Sequence, residues 1–431
     1  MQQPPVIAIP EHLRVVHAKK RRLANGIDLH LLESSEQEVV RVSFIFRAGS
    51  SMQSVPFSAS ATVNLLAEGT NRYTAAEIAE KLDFYGSYYD VSVDRDYVVV
   101  TFCSLTKFFA PTMEVGGEIL LHPAFPDEHV ETYCGKEKQR LTIDRTKVAF
   151  RARELFVQTL FGVQHPYGIV SPAEGYDKLS AHDVAAFYRK FYVAERCFVV
   201  ASGRIDAATT GIIASVAEKI PSGGAVAPPD GFAPPAGKSY AFLPQPGAVQ
   251  SAIRIGIPLF PRTHPDYIPM QVVATILGGY FGSRLVSNLR GERGYTYGVF
   301  AGLVNMEQAG YMAIATEVAS AATVDSLDQI FFEMERLRTE PVPAEELQMV
   351  KNIMVGEVMR ILDGPFGIAD VTIENIQNGT DNEYINRLLG EIRAFTPQRV
   401  METACRYLVP ENFTTVVVGD ESMMNQLRIT N

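Results

Sequence analysis

The order of apolar and polar positions divides the chain into two similar series of elements. Val39–Ala48 (VVRVSFIFRA) alternates in steps of two, the signature of a half-buried strand, with Arg41, Ser43 and Ile45 on its outward face. Phe57–Ala67 reads as a small-residue helix ended by Gly69, and Thr74–Tyr85 as a second helix with Thr74 as N-cap and Glu77 completing a capping box. Val91–Cys103 reads as one long strand, Phe108–Leu121 as a helix, and Asp127 opens a long helix that runs past Arg140 after the connector Pro123–Pro126. Asn25-Gly26 marks a tight turn between candidate strands near the start.

The second half repeats this order. Ser251–Ile257 is a strand, Tyr267–Leu277 a helix, Gly310–Glu317 a strand and Thr323–Leu337 a helix. Glu340-Pro-Val-Pro343 then echoes Pro123–Pro126 ahead of a long helix from Ala344. Matching elements lie about 215 residues apart, which points to an internal duplication. Pro221–Gly237, dense in Pro and Gly, is the expected joint. The predicted class is α+β, with two homologous domains, each a mostly antiparallel sheet with helices packed on one face. The expected bounds are 1–220 for the first domain, 221–237 for the linker and 238–431 for the second.

Within the second half lies a stretch with its own chemistry, Leu277–Phe300 (LGGYFGSRLVSNLRGERGYTYGVF). Gly278, Gly279 and Gly282 suit positive φ or close backbone approach. Ser283–Arg293 has helical apolar spacing, Gly291 and Gly294 end it, and Thr296–Gly302 is a candidate strand. Arg290 and Tyr297 therefore sit at a helix-to-strand corner where a guanidinium and a phenol can point into one space. Both donate hydrogen bonds, as a developing oxyanion requires. A capping arginine and a rim tyrosine would satisfy the same pattern, so residue types alone leave both readings open.

Composition narrows the partners. A chain of 431 residues exceeds one ordinary core. The net charge of −10 argues against nucleic acid and anionic membrane surfaces. Cys103, Cys134, Cys197 and Cys405 are scattered in apolar contexts, as reduced core cysteines are, and no run reaches membrane-spanning length. The expected compartment is cytoplasmic, with periplasmic as the alternative. The eight histidines include no pair at i, i+4, and there is no GxSxG; Gly278–Gly282 lacks the Lys-Ser/Thr of a phosphate loop. His165, in HPYG, reads as a turn residue.

The segment LGGYFGSRLVSNLRGERGYTYGV resembles the second-half signature of the insulinase/pitrilysin-type zinc peptidases, most closely their processing-peptidase-like branch. The resemblance implies two halves enclosing a peptide-holding chamber, with Arg290 and Tyr297 binding substrate near the scissile bond and Gly278, Gly279 and Gly282 shaping the nearby loop. It also implies an HxxEH zinc motif on the first-half helix. Aligning on Glu68-Gly69-Thr70 puts Ser60, Val63 and Asn64 at those places, and none of them can take the motif's roles. Glu137 falls about where a third ligand would lie, and alone reads as a surface charge. By this resemblance the chain is expected to bind no metal and to serve as the zinc-less subunit of a heteromeric peptidase. Its partner would be a homologous chain carrying HxxEH and the zinc, and Arg290 and Tyr297 would act in trans on a peptide substrate. The alternative is a catalytically inactive scaffold or peptide-binding subunit of a larger complex, or a homodimer when alone.

Overall fold

The computed structural model describes residues 10–34, 37–224 and 239–423. Most of the expected linker lies outside the described residues. In the first half the strands are β1 (Lys19–Arg22), β2 (Asp28–Glu33), β3 (Val39–Phe46), β4 (Tyr88–Val93), β5 (Val98–Leu105) and β6 (Cys197–Gly203), in the spatial order β1-β2-β6-β3-β5-β4. In the second half they are β7 (Ser239–Pro244), β8 (Gln250–Leu259), β9 (Val299–Asn305), β10 (Gly310–Ala319) and β11 (Thr414–Gly419), ordered β7-β11-β8-β10-β9. Apart from the extra edge strand β1, the two orders coincide. The parallel pair β2/β6 corresponds to β7/β11, and the remaining corresponding pairs are antiparallel in both sheets.

Each sheet packs its own half's helices against one face. Phe44, Phe46 and Phe102 meet residues of the helices Ser58–Asn64, Phe109–Leu121 and Ala181–Phe191 in the first core. Ile253, Ile255 and Ile314 meet those of Tyr267–Ala274, Thr323–Thr339 and Pro397–Tyr407 in the second. The opposite faces are not left to water, because each receives one helix from the other half. Gly364–Gln377 lays Ala369 and Ile373 on Leu32, Ile45 and Val200 of the first sheet. Val148–Phe161 lays Ala152, Phe156 and Leu160 on Ala252, Val416 and Val418 of the second. Gly256 makes this possible: a Cβ there would stand 2.5 Å from the Phe156 ring.

Two expectations are corrected, the first of them by this exchange. Arg41, Ser43 and Ile45 share a face, but Ser43 and Ile45 are buried. Arg41 donates to the Phe366 carbonyl at 2.8 Å and to Asp370 at 2.5 Å on the visiting helix. Val91–Cys103 is a hairpin rather than one strand, because the Asp94 carboxylate accepts the N–H groups of Asp96 and Tyr97, both at 2.7 Å, and closes a turn. The capping box at Thr74 and Glu77 forms as its residues require, and Gly26 takes φ +89° in the early turn.

Candidate peptide-binding site

The Arg290/Tyr297 corner is built on the π-helical turn Val286–Glu292, within the Ser283–Arg293 segment expected to be helical. Leu285, Val286 and Leu289 turn into the core, so Arg290 faces outward. Its guanidinium carbon lies 4.6 Å from the centre of the Phe281 ring, which is itself exposed. Below the surface Asn288 ties the turn down, donating to Glu333 at 2.9 Å and accepting from Arg293 at 2.9 Å. Gly294 then takes φ +66° and reverses the chain.

The following strand starts at Val299, later than the expected Thr296, and Tyr297 is therefore in a turn ahead of it. The cause is a local hydroxyl network that competes with strand pairing. Thr296 Oγ1 accepts from the Gly298 N–H at 3.0 Å and donates to the Gly298 carbonyl at 2.8 Å, while Thr316 of β10 donates to both Thr296 Oγ1 (3.1 Å) and that carbonyl (3.0 Å). The turn is pinned on both sides of Tyr297, whose side chain is left 91 % exposed. It borders an open cleft of about 470 Å³ with Ala149, Arg254, Ala315 and Glu317. Arg290 is not among the residues lining that cleft.

The glycines serve the backbone around this corner. Gly278, Gly279 and Gly282 do not adopt positive φ. At Gly278 a Cβ would stand 2.7 Å from both the backbone N and the Cβ of Ala301 on β9, so glycine is what allows helix and strand to touch. Gly282 has the Tyr280 ring 2.9 Å from the same hypothetical atom, and Gly279 is looser at 3.3 Å from Thr275.

The degenerate motif lies on the helix Ser58–Asn64. The Ser60 hydroxyl donates to the Phe57 carbonyl at 3.0 Å, Val63 is fully buried, and the Asn64 amide donates to the Ser60 carbonyl at 2.8 Å and approaches the Tyr133 hydroxyl at 3.4 Å. Burial pushes the Tyr133 phenol up to about 12, and the carboxylate of Glu137, one turn along the same helix, adds to the rise. Glu137 itself faces Arg140 at 3.6 Å. An amide, a hydroxyl, a phenol and a core valine do not fit a zinc ion that wants imidazole, thiolate or carboxylate donors. Among the described residues there is no group of three His, Cys, Asp or Glu that could hold a metal.

His165 shapes its own turn, its Nδ1 accepting from the Tyr167 N–H at 3.0 Å, and burial lowers its pKa. Tyr167 donates to Asp96 at 2.7 Å, Asp96 accepts the Glu307 N–H at 2.8 Å, and Glu307 pairs with Arg47, so this turn helps join the halves. Arg254 and Glu317 border the same cleft as Tyr297, and no motif in the sequence marks them. Their period-two spacing from Ala252 and Ala315 was the available signal, but the exchanged helix that makes their face an inner one was not visible in it. Among the described residues no helix is long and apolar enough to cross a membrane.

Residues 178–354 match the family model described as the Peptidase M16 inactive domain. An uncharacterized zinc protease of Mycobacterium bovis is 23 % identical over 379 residues, covering 85 % of each chain. An uncharacterized zinc protease of Bacillus subtilis is 19 % identical over 363 residues, 83 % of this chain and 87 % of its own. Among solved structures, a peptidase M16 inactive domain from Pseudomonas fluorescens superposes with a TM-score of 0.84 at 22 % identity, covering 94 % of this chain and 98 % of that one. A protease from Helicobacter pylori gives 0.85 at 14 % identity, with 94 % and 100 % covered. With the duplicated sheets and the Leu277–Phe300 signature, these matches show that residues 178–354 carry a domain of the Peptidase M16 inactive type and that the chain has the fold of the insulinase/pitrilysin-type, or M16, peptidases.

Proposed function

We propose that this protein is the metal-free subunit of a heteromeric zinc peptidase, lending Arg290 and Tyr297 to a peptide held at the zinc site of a homologous chain with HxxEH. The observation that carries the reading is a contrast between two places in the fold. The helix that would bear the metal offers Ser60, Val63 and Asn64, while the corner that would bear the substrate donors presents both in the open on a backbone fixed from beneath. A phenol held out by a pinned turn loses little freedom on meeting a substrate carbonyl. A guanidinium keeps its charge at any working pH and gives a second, charge-assisted donor. Neither group activates water, so the chain by itself is inactive.

A second reading, a peptide-holding scaffold without catalysis, is favoured by the position of Arg290 against Phe281 rather than along the cleft that Tyr297 borders. Reconstitution separates the two. The chain is assayed for peptide cleavage alone, with the homologous HxxEH chain, and with that chain's motif glutamate changed to glutamine. Cleavage in the native mixture alone supports the subunit role. Hydrolysis by this chain by itself, or a mixture no faster than the HxxEH chain alone, contradicts it.

A further inference from the structure

Three arginines from three separate elements converge on the inner space between the halves. Arg95 belongs to the turn between β4 and β5 and lines a cavity of about 190 Å³ with Tyr167, Glu307 and Tyr311. Arg254 lies opposite Ala315 in the β8/β10 ladder, which gives it the sheet face of Tyr311 and Ala313, and it lines the cleft beside Tyr297. Arg153 is on the helix Val148–Phe161. One turn before it Ala149 lines the cleft, and one turn after it Val157 lines the cavity, so Arg153 sits on the stripe that joins them. All three guanidiniums act on the phenol of Tyr311.

None of the three is neutralised at close range. Among the described residues no carboxylate lies within 4.0 Å of Arg95, Arg153 or Arg254. The nearby acids are largely committed. Asp96 accepts from Tyr167 and from the Glu307 N–H, Glu307 pairs with Arg47, and Asp94 accepts two backbone N–H groups of its turn. Glu317 acts on Arg254 from beyond ion-pair distance. Burial works against the charge of both Arg95 and Arg254, and Arg153 works further against Arg254. Since a guanidinium does not give up its proton, these charges stay in place short of counter-ions. In a chain of net charge −10, such a row on an inner surface is the reverse of the overall balance.

We propose that Arg254, Arg153 and Arg95 form a track that reads side-chain carboxylates on an extended peptide, so that the substrate class of this chamber is acidic peptides. The inference rests on the proposed reading of the chamber as the place where a peptide is held. Alternate side chains of an extended strand share one face about 7 Å apart, so a Glu-X-Glu segment offers two carboxylates at once to arginines that border one inner space. Bidentate pairing with free N–H groups then provides selectivity over an amide of the same shape.

The test uses fluorescence anisotropy on the full chain without any partner. Three labelled octapeptides with blocked termini differ only in carrying Glu-X-Glu, Gln-X-Gln or Lys-X-Lys. The Glu peptide is expected to bind about tenfold tighter than the Gln peptide, with the Lys peptide weakest. Arg153→Gln with Arg254→Gln removes that preference, whereas Arg254→Lys keeps only the part that charge alone supplies, and a thermal melt confirms that each variant is folded. Equal or absent binding of the Glu and Gln peptides to the native chain overturns the inference, as does a preference that survives the double substitution. Cleavage by the reconstituted pair without acidic preference overturns the track and leaves the subunit role standing. Acidic preference without cleavage does the opposite.

Discussion

At the scale of single residues, backbone contact decides what the corner tolerates. Gly278→Ala places a methyl group 2.7 Å from the Ala301 backbone, where nothing flexible can give way. It is expected to destabilise the fold by about 1–3 kcal/mol, read as a lowered urea midpoint at unchanged slope. Gly279→Ala, with 3.3 Å to a threonine side chain, is expected to cost clearly less in the same experiment. Arg290 and Tyr297 stand out in the sequence as candidates because their spacing sits inside a long contiguous signature. Arg95, Arg153 and Arg254 were not, since they approach one another only through the meeting of two halves and no spacing rule connects them.

At the scale of elements, two helix starts carry a pH dependence. Glu77 has its carboxyl lowered first by the Thr74 N–H, and Asp183 has its own lowered first by the Ser180 hydroxyl. A carboxyl lowered in the folded state contributes stability above its unfolded pKa and loses it as the pH falls through the folded one. Both contributions are therefore intact at neutral pH and fade below the ordinary carboxyl values, about pH 4.5 for Glu77 and about pH 3.8 for Asp183. Thr74→Ala is expected to cost about 1 kcal/mol at pH 7, and the gap between its thermal midpoint and that of the native chain should narrow as the pH is lowered past the Glu77 value.

The exchanged helices are the other element-scale feature. Phe156→Ala strips the ring that rests on Gly256 and is expected to cost about 3–5 kcal/mol by denaturant titration. The period-two pattern of β3 was legible, yet it could not say that Arg41, Ser43 and Ile45 face a helix arriving from more than three hundred residues away. In the same way the apolar run Val91–Cys103 concealed a turn, because Asp94 closes it through side-chain acceptance rather than through glycine or proline.

At the scale of the whole molecule, the duplication was legible because two sheets of one order need the same succession of apolar patterns. How the halves interlock was not, since each contributes a helix to the other's sheet without leaving a local mark. In the proposed subunit role the protein is one part of a divided active site, with donors here and metal elsewhere. It follows that the purified chain dialysed against zinc should retain less than stoichiometric metal, while the HxxEH partner retains one ion per chain, as read by metal analysis.

The most direct test is the turnover of the reconstituted pair when Tyr297→Phe and Arg290→Ala are introduced singly into this chain, with assembly checked by gel filtration. If each substitution removes one donor to the oxyanion, as proposed, kcat is expected to fall about 10²–10³ for each, with the complex intact. Native turnover in both variant complexes would contradict the proposal.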